Sequence, residues 1–274
     1  MCTFVNYIEK MITFPFCKIN LGLHIVGKRT DGFHNIETVY YPVKTMTDVL
    51  EIVPSKQFDF QCYGISVEGN KEDNLVVKAY HLMQKAYQLP PVSISLLKKI
   101  PTGAGLGGGS SDAAAALVLL NKLFHLHLDN ETLKIHAATL GSDCPFFIDG
   151  SPAFACGKGE NLVPCNCPEL AEKQIVIVKP NIHISTVVAY AHCQPAQPEM
   201  DLREIMQLPI SSWKFVLKND FEKTLFPVHP RLAEIKELLY KEGALYALLS
   251  GSGSALFGIF DEVPKNFRNF NTFS

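Results

Sequence analysis

From Ile12 to about Glu68 apolar and polar residues alternate with the two-residue period of β-strands. The clearest stretch is Lys18-Ile-Asn-Leu-Gly-Leu-His-Ile, with Ile19, Leu21, Leu23 and Ile25 on one face and Lys18, Asn20 and His24 on the other. Residues 33–43, 49–53 and 58–67 continue as strands broken by Gly, Pro and Asp. Asp73-Asn74 then caps a helix whose apolar stripe is Leu75, Ala79, Leu82, Met83 and Ala86. A strand over 92–97 leads through a glycine-rich run into a helix ending near Phe124, and a further helix spans Asp129 to Leu140. Beyond Gly150 the pattern shortens: strands at 152–156 and 175–178, prolines as punctuation, a helix over 233–241, and a strand, glycine turn and strand over 246–260. This order predicts an α+β chain of two domains, 11–160 and 161–274. Residues 1–10 read as an extension ahead of a second start-like methionine, Met11.

The run Pro101-Thr102-Gly103-Ala104-Gly105-Leu106-Gly107-Gly108-Gly109-Ser110-Ser111 carries the strongest chemical signal. Glycine at this density permits positive-φ turns and removes the Cβ atoms that keep a ligand at a distance. Consecutive N–H groups can then curve around an anion, and the next helix adds unpaired N–H groups and a positive dipole end. The run therefore reads as a phosphate loop. It is not a Walker A loop, because no Gly-x-x-x-x-Gly-Lys-Ser/Thr occurs in the chain. Gly103, Gly105 and Gly108 do satisfy the dinucleotide pattern Gly-x-Gly-x-x-Gly, with Asp129 at ribose distance. The second strand that reading needs reduces to the very short His125-Leu-His-Leu, which argues against an oxidoreductase.

Composition narrows the picture. At 274 residues and 47% apolar content the chain can bury a real core. A net charge of −2 gives no general attraction to nucleic acid or to an anionic membrane. The absence of any run of about 18 apolar residues argues against a membrane span, and Met1 to Lys10 lack the pattern of a secretory signal. Eight cysteines lie mostly alone inside apolar segments, which points to reduced thiols in the cytoplasm; Cys165-Asn166-Cys167 lacks a partner pair at zinc-site spacing.

Three further segments accompany the glycine run: Pro15-Phe16-Cys17-Lys18-Ile19-Asn20-Leu21, Gly141-Ser142-Asp143-Cys144-Pro145-Phe146-Phe147 and Leu249-Ser250-Gly251-Ser252-Gly253-Ser254-Ala255. With Asp31-Gly32-Phe33-His34, Asn74-Leu75-Val76 and Asn219-Asp220-Phe221-Glu222 they resemble, in order, the motifs of the GHMP kinases, the galactose, homoserine, mevalonate and phosphomevalonate kinases. The likeness is greatest to the branch whose acceptor is a cytidine diphosphate-linked methylerythritol. It implies a GHMP kinase fold, with a left-handed β-α-β unit in the N-terminal domain and a ferredoxin-like C-terminal domain. It also implies ATP as phosphoryl donor, Mg2+ with ligands unassigned, and transfer to the acceptor's 2-hydroxyl in non-mevalonate isoprenoid synthesis.

Residue by residue, the resemblance makes Asp143 the general base and Lys18 its catalytic partner. Residues 101–111 and Asn74 would hold ATP, while Asn20, Phe33, His34, Tyr190, Gly251 and Ser252 would hold the acceptor. Taken alone, each residue has a plainer reading. Asp143 follows Gly141-Ser142 in good turn chemistry, Lys18 fits a solvent-facing strand lysine, His34 fits a loop, and Tyr190 fits helix packing on Val187. Cys17 stands where the family commonly has alanine, Phe33 lacks the hydroxyl of a frequent tyrosine, and the tail at Phe267, Arg268, Phe270 and Phe273 has no assigned place. Rivals are a homoserine- or mevalonate-type kinase, against which Asp31-Gly-Phe-His speaks, and a non-catalytic nucleotide sensor, against which Lys18 and Asp143 speak.

Overall fold

The computed structural model describes residues 11–67, 69–191 and 193–265; the extension at 1–10 and the tail at Phe267, Arg268, Phe270 and Phe273 lie outside the described residues. The chain begins with β1 (Met11–Thr13), β2 (Phe16–Lys28), β3 (His34–Thr47), β4 (Val49–Pro54) and β5 (Asp59–Gly64). There follow α1 (Leu75–Tyr87), β6 (Val92–Lys98), α2 (Gly108–Leu123), α3 (Asn130–Leu140) and α4 (Phe146–Asp149). The later elements are β7 (Ala153–Gly157), β8 (Asn161–Pro164), β9 (Gln174–Val178), α5 (Thr186–Ala191), α6 (Leu202–Ile205) and α7 (Ile210–Val216). The last are α8 (Asp220–Val228), α9 (Pro230–Lys241), β10 (Tyr246–Leu249) and β11 (Leu256–Phe260).

Two compact units emerge, and each is assembled from separated segments. The first gathers the segment ending at Cys17, Lys44–Ile100 and Gly108–Asp149; the second gathers Lys18–Val43, Pro101–Gly107 and the chain from Gly150 on. A division at 160 follows chain order, whereas compactness groups strand segments that pair over long separations, such as β3 with β7.

In the first unit the sheet order is β1-β4-β6-β5, antiparallel except for β5 beside β6. Parallel neighbours require a crossover, and α1 supplies it as the β-α-β unit. Leu50, Ile52, Ile94 and Leu96 from the sheet meet Val76, Tyr80 and Met83 of α1 and Ala113, Ala116 and Leu117 of α2. The buried face of α1 is Val76, Val77, Ala79, Tyr80 and Met83, with Ala86 exposed and Leu82 half-buried. The stripe is thus turned by one position from the pattern reading. Burying Tyr80 and two valines removes far more apolar area from water than burying Leu82 and Ala86 would.

In the second unit one sheet runs β2-β3-β7-β8, and β10-β11-β9 forms an antiparallel sheet on which α9 packs. Its core joins Leu23 and Ile25 of β2 to Phe221, Leu225, Leu232, Leu239, Leu249 and Phe260. β2 departs from its alternating pattern in one respect. Every residue from Cys17 to Ile25 is buried, so its polar face is covered as well as its apolar one.

Candidate active site

The glycine run takes the backbone shape its composition suggests. Gly103, Gly105 and Gly107 have φ of +61°, +78° and +70°, values that residues bearing a Cβ rarely adopt. Gly105 is further constrained by contact: a Cβ there would lie 2.0 Å from the Ser250 carbonyl oxygen. α2 begins at Gly108, ahead of the alanine-rich segment, so Gly108, Gly109, Ser110 and Ser111 form its first turn. Their N–H groups lack intrahelical acceptors and face the dipole's positive end, which suits a phosphate. Gly109 lies near Leu75 at the start of α1, where Asn74 serves as N-cap and accepts a hydrogen bond from the Val76 N–H at 2.9 Å.

Lys18 is buried, contrary to the solvent-facing reading of a strand lysine. Its ammonium donates to the Asn20 Oδ1 at 2.6 Å and to the Gly105 carbonyl at 3.0 Å, and stands 4.9 Å from the Tyr40 ring centre. The Lys18 N–H donates to the Leu106 carbonyl at 2.9 Å. Asn20 is fixed in turn, its Nδ2 donating to Thr38 Oγ1 at 2.9 Å, and Thr38 donates to the Gly22 carbonyl at 2.5 Å. The strand thus holds its lysine through a chain of side-chain bonds to the glycine run.

The third motif docks on the same point. Ser250 Oγ donates to the Gly105 carbonyl at 2.9 Å and accepts from the Asn20 N–H at 3.3 Å. The Ala255 N–H donates to the Ala104 carbonyl at 3.1 Å. Gly251, with φ of +55°, sits so that a Cβ would approach Gly105 Cα to 3.2 Å and Asn20 Oδ1 to 3.3 Å. Ser252 Oγ pairs with Thr186 Oγ1 at 3.2 Å. Ser250 was missed by sequence reasoning, although it stands beside Gly251 in the same motif. The Asn219-Asp220-Phe221-Glu222 segment anchors this region: Asn219 Nδ2 donates to the Leu249 and Gly251 carbonyls, and its Oδ1 caps α8. Asp220 accepts from the Ile25 N–H at 2.8 Å and Glu222 from the Leu249 N–H at 2.9 Å.

His34 and Tyr190 come together, their rings stacked with centroids 4.9 Å apart and planes 19° apart. Val187 is exposed, so Tyr190 packs edge-on to Phe221 instead. Burial, reinforced by the charge of Lys28, holds the His34 imidazole below its usual pKa. A neutral imidazole offers one donor and one acceptor, the pattern a base edge can read. Phe33 turns away to solvent, with the Lys158 ammonium 5.0 Å from its ring centre. In the first unit Asp143 occupies the turn between α3 and α4, half-buried, ahead of the buried Cys144, Phe146 and Phe147. Among the described residues no group of three or more His, Cys, Asp or Glu side chains could hold a metal ion. No helix among them is long and apolar enough to cross a membrane.

Residues 74–151 match the GHMP kinases N terminal domain and residues 198–270 match the GHMP kinases C terminal domain. The chain is 52% identical to the 4-diphosphocytidyl-2-C-methyl-D-erythritol kinase of Bacteroides thetaiotaomicron over 96% of its own length and 98% of that protein's. It is 48% identical to the protein of the same name from Parabacteroides distasonis, with 96% of each covered. The crystal structure of a 4-(cytidine 5'-diphospho)-2C-methyl-D-erythritol kinase superposes with a TM-score of 0.78 at 33% identity, covering 91% of this chain and 90% of that one. A homoserine kinase from Cytophaga hutchinsonii shares the fold, with a TM-score of 0.69 at 15% identity over 96% of this chain and 88% of that one.

Proposed function

We infer, from a chain that belongs to the GHMP kinase family and within it to the 4-diphosphocytidyl-2-C-methyl-D-erythritol kinases, that it phosphorylates the 2-hydroxyl of that cytidine-linked polyol with ATP. The observation that carries the reading is the convergence of three motifs on Gly105: the β2 lysine, the glycine run and the Ser250 turn. A phosphoryl group in flight is served mainly by position and charge. The run through Gly107 and the first turn of α2 hold the β- and γ-phosphates by backbone N–H groups, and Asn74 orders the neighbouring start of α1.

Asp143 takes the proton of the acceptor hydroxyl as its oxygen attacks the γ-phosphorus, the bond to the bridging oxygen breaks and ADP leaves. Lys18, set in place by Asn20 and Gly105, supplies positive charge to the transferring group. Asn20 and the turn at Gly251 and Ser252 meet the polyol, and the His34 and Tyr190 rings meet the cytosine, for which an aromatic face is well suited. Phe33, exposed beneath Lys158, contributes at the rim. Magnesium accompanies the triphosphate and supplies charge neutralisation; we assign it no protein ligand. The reaction belongs to non-mevalonate isoprenoid synthesis, and we place it in the cytoplasm.

Release of ADP, measured with this polyol, free methylerythritol, homoserine and mevalonate, tests the reading. The cytidine-linked polyol is expected to exceed the others by at least about tenfold in kcat/KM, since leaving buried base contacts unmade costs about 1–3 kcal/mol. Equal use of homoserine or mevalonate would move the protein to a sister branch.

A further inference from the structure

Inside the first unit, where β6 ends and α2 begins, lies a buried ion cluster that the reaction above does not use. Lys98 at the end of β6, Asp48 between β3 and β4, and Asp112 in α2 have side chains 1%, 0% and 3% exposed. The Lys98 ammonium donates to Asp48 Oδ2 and, at 2.7 Å, to Asp112 Oδ2. Asp48 Oδ1 accepts from the Lys99 N–H and, at 2.8 Å, from the Ile100 N–H. The run therefore leaves the sheet at Ile100, where Asp48 grips the backbone, and returns at Gly108, four residues before Asp112. Gly108 rests directly on the cluster: a Cβ there would lie 2.7 Å from Ile100 Cγ2 and 3.3 Å from Lys98 Nζ.

Two carboxylates and one ammonium leave a buried excess of one negative charge, and Asp112 Oδ1 is buried with no hydrogen-bond partner. An ionised carboxylate in that state is costly, and a proton relieves it. A phosphate anion on the first turn of α2 adds negative charge beside the same group and favours the protonated form further. The geometry points to Asp112 as a positioning residue that takes up a proton when a nucleotide's phosphates dock on the glycine run. This inference rests on the phosphate-loop reading of that run.

Burial, opposed by Lys98 and reinforced by Asp48, pushes the Asp112 carboxyl up to about 8, so the proton is exchanged in an accessible range. The groups that face it are Lys98, held above its usual value with the Asp112 and Asp48 charges acting against its burial, and Asp48. The Cys62 thiol of β5 is the other titrating neighbour of the cluster, raised by burial. The sign follows: below the Asp112 pKa the proton is already bound and nucleotide affinity is level, whereas above it each binding event must draw a proton from solvent and affinity falls.

The test is the dissociation constant of ADP, free of metal, between about pH 7.5 and pH 9.5, where its phosphates are almost fully ionised. Proton uptake is read in parallel by calorimetry in buffers of different ionisation enthalpy. The wild-type protein is expected to lose about three- to tenfold in affinity across that range and to take up a fraction of a proton near pH 8. Asp112→Asn is expected to abolish both effects, and Cys62→Ser to leave both in place. Wild-type behaviour in Asp112→Asn overturns the inference. So does a wild-type protein that takes up no proton, which decides the matter even where the variant fails to fold. Unchanged ADP affinity in a folded Gly107→Val protein would instead overturn the phosphate-loop reading beneath it.

Discussion

Among the described residues two lysines are buried, one in each unit, and they hold different parts of the chain. Lys98 is clamped by the carboxylates of Asp48 and Asp112 and ties the end of β6 to α2 within the first unit. Among the partners of the Lys18 ammonium are the Asn20 carboxamide oxygen, the Gly105 carbonyl oxygen and the Tyr40 ring, which tie it to the glycine run. Burial alone therefore does not separate a structural lysine from a catalytic one. What the bonds of each lysine hold does: those of Lys98 join β6 to α2 and to Asp48, whereas those of Lys18 reach the backbone of the glycine run itself.

The largest effect that would sharpen the contrast is expected from Lys98→Met. It leaves two buried carboxyl groups without their cation, and breaking a buried pair in this way costs about 3–5 kcal/mol. Urea unfolding would show this; a loss below about 1 kcal/mol would mean the cluster is far less coupled than its geometry suggests. Lys18→Met is expected to act the other way round. Turnover should fall by about 10²–10³-fold, the usual loss when one preorganised group facing developing charge is removed. Its stability should change by much less than that of Lys98→Met, because Ser250 still donates to the Gly105 carbonyl and Asn20 still bonds Thr38. The smallest effect is expected from Ser250→Ala, which removes one donor from Gly105 and one acceptor from the Asn20 N–H. About 1 kcal/mol of stability and a modest rise in the KM for ATP should follow, whereas a loss matching Lys18→Met would give Ser250 a role in the chemistry itself.

The sequence disclosed these two lysines unequally. Lys18 stands inside a run of adjacent residues whose order resembles a family motif, so it could be singled out without a structure. Lys98 reads as one of a pair with Lys99 at a strand end, and its carboxylate partners lie 50 and 14 residues away. Nothing in a linear pattern joins such positions. The strand and helix order was legible because periodicity is local, and most boundaries moved by only a few residues. Two elements misled for a physical reason. The alternation in β2 implies one wet face, yet tertiary packing covers both. In α1 the Leu75 to Ala86 stripe and the Val76 to Met83 stripe differ by one position, and only the partners of the helix decide between them. The glycine run, the Asn219 segment and the Ser250 turn were each visible, but their joining through Gly105 was not.

Whether Asp143 serves as general base for the acceptor hydroxyl is decided by the turnover of Asp143→Asn at saturating ATP and cytidine-linked polyol. The substitution keeps size and hydrogen-bonding shape while removing charge and basicity. Turnover is expected to fall by about 10²–10⁴-fold with the fold intact. If the folded variant keeps most of its turnover, Asp143 is a turn residue and the hydroxyl is activated without it.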